Sequence, residues 1–319
     1  MRTIVRRLIQ LVVVIVVVTF FTSVLTRLLP GDPTTLIAQF ATPDEREELR
    51  AELGLNRNVV AQYGSWATDF FTGDMGTYYA GTGVRGEDVY DRAKIALPKS
   101  LLLIFYAQVV TLLIAVPLGV ITAYRAGKRV DRWANTVAFG LVAIPAFVLA
   151  ALLKLYLGLE WDLLPTIGWI DLTDDPVEHF RHAAMPVIVL AVGQIAVYAR
   201  LLRSDMVATL QEDFILMAKS KGISNRRILW RHALRPSSLT LLTVAGLNIG
   251  TLLSGALVIE IIFDVGGIGS LIYDAINRRQ YFALQSLIAL VAIAYVVVNF
   301  IVDLLYTVLD PRIRSARIA

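Results

Sequence analysis

The chain has 319 residues, 56% of them hydrophobic and 18% charged, with a mean hydropathy of +0.64; this excludes a single soluble core with a hydrated surface and implies a membrane protein. Cysteine is absent, which excludes disulfides, thiolate metal sites and thiol nucleophiles. The formal charge of +4 is an argument about topology, because in a membrane chain the placement of basic residues sets orientation.

Crossing a hydrocarbon core of about 30 Å takes roughly 20 mostly apolar residues in a helix. Segments near Leu8–Leu29, Ser100–Tyr124, Trp133–Leu157, Ala183–Leu202, Ser237–Ile262 and Leu284–Leu309 meet that requirement, so the sequence predicts an all-α membrane protein with six transmembrane helices. The first segment, RRLIQLVVVIVVVTFFTSVLTRLL, has the basic flank of a signal peptide, but its apolar run is too long and no A-x-A-like cleavage site follows it. Residues 1–29 are therefore read as a retained N-terminal transmembrane helix.

Arg2, Arg6 and Arg7 precede the first span, and Arg125, Lys128, Arg129 and Arg132 lie between the second and third. Arg203, Lys219, Lys221, Arg226, Arg227, Arg231 and Arg235 follow the fourth, and Arg312, Arg314 and Arg317 follow the sixth. Six alternating spans with both termini cytoplasmic place every one of these clusters inside, as the positive-inside rule requires. Acidic residues fall opposite: Asp44, Glu45, Glu47, Glu48 and Glu52 in an external segment over 30–99, and Asp171, Asp174, Asp175 and Glu178 in the second external loop.

Within 30–99, Thr42 reads as an N-cap, Pro43 as the first helical residue and Gly54 as the stop of a short surface helix. VVAQYGSWATDFFTGDMGTYYAGTG reads as an irregular packed cap or interfacial segment that touches a partner or only closes the pore. The remainder, 100–319, is the membrane core, interrupted by the basic loop 203–236.

In that loop Met206, Leu210, Phe214, Met217 and Ala218 recur at helical spacing, and Ile228, Leu229, Trp230, Ala233 and Leu234 form a second apolar group. Gly222 between them suits a left-handed helix C-terminus, and Ser224 suits an N-cap that accepts a backbone N–H. The pattern predicts two short amphipathic helices on the membrane surface: a protein-binding lever, or a basic loop resting on anionic headgroups.

Among polar residues within the spans, Glu260 and Lys154 can line an outer mouth or pair, and Lys154 can snorkel. Gln108, Gln194, Asn248, Asn299 and Asp303 can line a hydrated route or bond between helices, and Gly246 and Gly250 form a G-x-x-x-G pair. His179 and His182 read as a chance loop pair, with no metal site implied. No G-x-x-x-x-G-K-S/T run is present to cradle nucleotide phosphates.

At the loop, EDFILMAKSKGISNRRILWRHALRPS resembles the coupling loop of permease subunits in binding-protein-dependent ABC importers, the dipeptide and oligopeptide (peptide/nickel) branch. Ala218 and Gly222 match its EAA-glycine element, while Leu216 and Met217 replace the Glu-Ala start and Arg235 separates Leu234 from Pro236. The resemblance extends to GDPTTLI, LGLNRNVVAQYGSW, VPLGVITAYRAGKRVDR and VNFIVDLLYTVLDPRIR, nearly the whole chain.

The resemblance implies a type I ABC importer permease fold and no bond chemistry or cofactor in this chain. It implies, as partners, a second homologous permease subunit, two cytoplasmic ATPase subunits or domains, an extracytoplasmic solute-binding protein and the lipid bilayer, and no nucleic acid. Glu212, Asp213, Phe214, Met217, Ala218, Lys219, Lys221, Gly222, Arg226, Arg227 and Trp230 would then meet the ATPase. Glu260, Asn248, Gln194 and Gln108 are the candidates for the translocation pathway. Peptides are the expected solute, with nickel chelates, glutathione or oligosaccharides as alternatives. A secondary transporter would carry internal repeats and discontinuous helices, which the sequence does not announce. A membrane-embedded enzyme would need clustered acids or nucleophiles within the spans, and none is evident.

Overall fold

The computed structural model describes residues 2–28, 33–37, 41–79 and 86–309. The basic tail Arg312, Arg314 and Arg317 lies outside them, as do Gly31 and Asp32 of the GDPTTLI stretch, and so does the side chain of Asp303. In chain order the helices are α1 (Arg2–Leu28), α2 (Pro33–Ile37), α3 (Pro43–Glu52) and α4 (Val59–Thr72), then a ribbon of β1 (Thr77–Tyr78) and β2 (Glu87–Asp88). There follow α5 (Val89–Tyr124), α6 (Arg129–Ala143), α7 (Ala146–Leu153) with a π-helical turn over Lys154–Glu160, α8 (Pro176–Thr209) and α9 (Asp213–Ser220). The series ends with α10 (Asn225–Arg227), a second π-helical turn over Ile228–Ala233, α11 (Leu234–Leu247), α12 (Ile249–Phe263), α13 (Ile268–Asn277) and α14 (Tyr281–Leu309).

Among the described residues, three helices are long and apolar enough to cross a membrane on their own: α5, α8 and α14. Two bent pairs, α6 with α7 and its π turn, and α10–α11 with α12, raise the number to as many as five. The shorter apolar stretch Val12–Leu28 lies in α1.

The expected straight third span is corrected, since its helix turns by 96° between α6 and α7. The cause is Pro145: its ring disfavours helical dihedrals at Ile144, which sits at φ −81°, ψ 119°, and it lacks an N–H for the ladder. The fifth span bends by 45° at Asn248. Discontinuous helices, which the sequence reading did not find, are therefore present.

The chain divides into two compact units, Met1–Ser100 with Gly266–Val297, and Leu101–Val265 with Val298–Ala319. In the first unit, α3 opens as expected: Thr42 accepts from the Glu45 N–H while the Glu45 carboxylate accepts from the Thr42 N–H, a reciprocal cap.

The first part of the stretch expected to be irregular, Val59–Thr72, is instead the regular helix α4; Gly73–Gly76 is irregular as expected, and residues 80–83 lie outside the described residues. Asn58 caps it by accepting the Ala61 N–H at 2.8 Å, and Gly73 ends it at φ +101°. Tyr63, Trp66 and Phe70, three and four residues apart, stack along one face with centroids 5.6 and 5.3 Å apart. The aromatics that looked interfacial are thus a helical packing stripe, and the buried Trp66 donates Nε1–H to Ser286 at 2.9 Å.

The ribbon is fastened to α13 and its following turn. Gln280 pairs with the Tyr79 backbone in both directions, accepting the N–H at 3.1 Å and donating to the carbonyl at 2.8 Å. The buried Tyr78 hydroxyl donates to the Asp274 carboxylate, and Arg278 donates Nε–H to the same group at 2.7 Å.

The second unit holds two apolar clusters. One gathers Leu103, Met185, Val189, Leu252, Ile259 and Phe263 from α5, α8 and α12, and the other Val120, Tyr198, Leu202, Ile215, Ile228 and Leu241 from α5, α8 and the loop onward. Lys154, expected to snorkel, instead donates Nζ–H to the Ile262 carbonyl at 2.9 Å. It satisfies one of the carbonyls left open at the end of α12. His179 and His182 fall in the first turns of α8 and not in a loop. His179 is fully buried, with Nδ1 2.6 Å from the Ile170 carbonyl and Nε2 3.1 Å from the Tyr106 hydroxyl.

Candidate functional site

After α8 the chain turns through Leu210–Glu212 into α9, whose eight residues show two faces. Ile215 and Ala218 are buried in the second apolar cluster, whereas Phe214, Leu216 and Met217 are 45, 54 and 57% exposed. Glu212, Asp213, Lys219 and Lys221 are exposed around them. The inward pair holds α9 to the bundle, and the outward apolar set stays exposed among the described residues.

Gly222 terminates α9 at φ +75°. Its N–H donates to the Lys219 carbonyl at 2.9 Å and the Ile223 N–H to the Ala218 carbonyl at 3.2 Å, a Schellman closure that requires the left-handed residue glycine supplies most cheaply. Ser224 stands at the N-cap position, at φ −61°, ψ 144°, but its side chain makes no cap bond. The cap expected of its hydroxyl is therefore corrected.

The second predicted short helix is also not separate. α10 passes through the π turn directly into α11, and Pro236 lies in the first turn of α11, with the widened turn just before it. Arg226, Arg227 and Trp230 are exposed on this element, and Ile228 and Ala233 are buried. Beside the loop, Arg203 of α8 makes a two-pronged ion pair with Asp131 of α6.

Within the spans, three of the four candidate pathway residues come together. Asn248 donates to the Gln194 carboxamide oxygen at 3.1 Å, and Gln194 reaches the Thr251 hydroxyl at 3.5 Å. Asn248 and Gln108 flank the Tyr198 hydroxyl, which lies 3.5 Å from Gln108 Oε1. Glu260 is not among them: it is 1% exposed and stands beyond Thr251 on α12, about 13 to 14 Å along the axis at 1.5 Å per residue. Tyr198 and Thr251 were missed in the sequence. Thr251 was recoverable, standing three residues after Asn248 on one helical face, whereas Tyr198 reads as one more aromatic in an apolar span.

Comparison with known proteins places this arrangement. Residues 115–315 match the family described as binding-protein-dependent transport system inner membrane component, and residues 1–83 match the N-terminal membrane component of the same systems. The chain belongs to this family. It is thus a multi-pass transport component of a bacterial inner membrane.

The permease is 34% identical to the probable peptide ABC transporter permease protein y4tP of Sinorhizobium fredii over 312 residues, 98% of each chain. It is 31% identical to the dipeptide transport system permease protein DppB of Escherichia coli over 339 aligned positions, 98% of this chain and 99% of that one. In fold it is similar to the MetNI methionine ABC transporter in inward-facing conformations. There the TM-score is 0.57 at 16% identity, over 71% of this permease and 100% of that chain.

Proposed function

We propose that this permease forms half of the translocation route of an ATP-driven importer for di- and oligopeptides. Six spans with both termini cytoplasmic would carry it, α1 as the first and the two bent pairs as the third and fifth. A second homologous permease subunit would complete the route. Two ATPase subunits or domains would hydrolyse ATP beneath it, and an extracytoplasmic protein would deliver solute.

The observation that carries the reading is the two-faced helix α9, locked inward by Ile215 and Ala218 and presenting Phe214, Leu216 and Met217 outward. An amphipathic helix with its apolar side uncovered seats in a groove of a partner. Lys219, Lys221, Arg226 and Arg227 supply a basic rim, Glu212 and Asp213 an acidic one, and Trp230 a further aromatic contact. Because α10 runs unbroken into α11, displacement of α9 by ATPase closure is passed through the Gly222 joint into the fifth span. End-to-end similarity to permeases named for peptides supports the solute class.

Reconstitution tests this. Peptide uptake into proteoliposomes should require the permease pair, the ATPase and a peptide-loaded binding protein together. The isolated chain should bind no ATP, since no phosphate-binding loop is present in its sequence. A cysteine at Gly81, a position outside the described residues, should react with an impermeant thiol reagent from outside intact cells. Uptake without ATPase subunits, or saturable nucleotide binding by the isolated chain, overturns the reading.

A further inference from the structure

Two exposed surfaces run along the spans of the unit that begins at Leu101, and their chemistry differs. α5 exposes Leu101, Phe105, Leu113, Ile114 and Ile121, all large and apolar, the composition that lipid tails solvate well. On α8 and α12 the exposed surface is mixed: Gly193, Thr251, Ser254 and Gly255 are exposed along with Val197 and Val258, beside the linked carboxamides of Gln194 and Asn248. Polar side chains within spans turn to a bundle interior or a hydrated cavity, because hydrocarbon offers them no partner.

A cavity of about 180 Å³ opens at this seam, bounded by the bend at Ile144, by Gly193 and Gln194, and by Thr251 and Gly255. A Cβ at Gly193 would meet nothing within 4 Å, so a side chain there would project into open space. The cavity therefore sits beside the 96° bend of the third span and close to the 45° bend of the fifth, where helices are interrupted. Irregular backbone at membrane depth is tolerated where protein or a hydrated cavity covers it.

We propose that the Gln194–Asn248–Thr251 seam is a solute-contacting wall of the translocation route and that it takes neutral amide groups, the repeating unit of a peptide main chain. Each carboxamide carries both a donor and an acceptor, matching the N–H and C=O of a peptide group. The seam's own bonds, at 3.1 and 3.5 Å, are exchanged for bonds to the solute, so a passing peptide group is neither stranded nor trapped. No residue lining the cavity is ionisable. The wall therefore forms no ion pair with the termini or charged side chains of a peptide, and its contact with the main-chain amide carries no preference for peptide sequence. This inference rests on the peptide-importer reading above.

The chain has no native cysteine, so single cysteines can be introduced directly into the assembled transporter. Thr251→Cys and Gly255→Cys should react with a water-soluble methanethiosulfonate at least about tenfold faster than Leu113→Cys and Phe105→Cys, because thiolate chemistry needs water. A transported dipeptide should slow labelling at Thr251→Cys. In the second arm, Gln194→Leu with Asn248→Leu should reduce uptake of a free dipeptide and of its N-acetyl amide by the same factor, with binding-protein-stimulated ATPase retained. Labelling at Thr251→Cys no faster than at Leu113→Cys, with normal peptide uptake, overturns the wall alone. Water access at Thr251→Cys in a transporter that moves no peptide overturns the importer reading and the amide class with it. A loss confined to the charged dipeptide, or no loss, overturns the amide assignment.

Discussion

Arg203 places Nε and Nη2 on the two carboxylate oxygens of Asp131 at 2.5 and 2.6 Å. The same carboxylate accepts the Gly127 N–H and an Asn135 amide proton, each at 2.8 Å, and Asp131 is 3% exposed. The pair ties the first turn of α6 to α8 six residues before α8 ends and the segment leading to α9 begins. Removing one member of a buried pair leaves the other without its counter-charge. Asp131→Asn should therefore destabilise by about 3 kcal/mol. Arg203→Lys should fall between it and the native chain, because lysine keeps the charge but lacks the fork. Thermal unfolding of the purified protein in detergent measures both, and equal midpoints in all three would show that the brace contributes nothing.

Gly246 lies where a Cβ would stand 2.0 Å from Val302 Cγ1, so α11 and α14 touch through the absence of a side chain. Gly246→Ala should lower thermal stability by about 1–3 kcal/mol, the usual cost of overpacking. Adding Val302→Ala should return part of it, and the non-additivity of the double mutant is the readout. Simple additivity would mean that the two helices do not meet there. Gly250, the other member of the G-x-x-x-G pair, carries no comparable expectation.

Acid should loosen the ribbon in the unit that begins at Met1. Burial alone would raise the Asp274 carboxyl, but hydrogen bonds from Tyr78 and Arg278 and the charges of Arg278 and Arg92 outweigh it and leave it below the ordinary carboxylate value. Burial, the Asp274 hydrogen bond and its charge push the Tyr78 hydroxyl upward, so it stays the donor at neutral pH. With the Asp274 value depressed on folding, its contribution is fully present above the unfolded carboxylate value of about 4 and is lost as pH falls through the folded one. Proteolysis near Tyr78 should accelerate on acidification below pH ~4 in the native chain. In Asp274→Asn that part of the pH dependence should disappear; an unchanged profile would show that other carboxylates govern it.

Much of the architecture was legible because periodicity and charge are local signals. Four expected spans fall on continuous helices, α1, α5, α8 and α14, of which the last three are long and apolar enough to cross a membrane on their own, and Thr42, Gly54 and Gly222 marked helix ends that the structure places nearby. The 96° turn at Pro145 was readable in principle, since proline inside an apolar run reports a break, but hydropathy averaged over 20 residues conceals it. α4 was missed because Tyr63, Trp66 and Phe70 were weighed for composition and not spacing. The π turn at Ile228–Ala233 leaves no periodic mark over six residues, and the fusion of α10 with α11 was missed with it. Pairs such as Arg203 with Asp131, 72 residues apart, are tertiary facts that no local pattern encodes.

The joint at Gly222 can be tested without confusing strain with collision. A Cβ there would meet nothing within 4 Å, so a substitution acts only through the backbone, which sits at φ +75°. Gly222→Val should cost about 1–2 kcal/mol of left-handed strain or drive the Schellman closure open. Opening would release the Ile223 N–H from the Ala218 carbonyl and turn Phe214 and Met217 relative to Ile228 and Trp230. Membrane insertion should be normal, because no span residue changes. Peptide transport should fall sharply while the ATPase either leaves the complex or hydrolyses ATP without moving solute, and Gly222→Asn, which tolerates this region better, should be milder. Gly140→Val in α6 is the control: a Cβ there also meets nothing within 4 Å and the backbone is helical, so coupling should survive. Normal transport and normal ATPase association in Gly222→Val would return the loop to a passive role on lipid headgroups, and would leave the outward apolar face of α9 as the feature still requiring a partner.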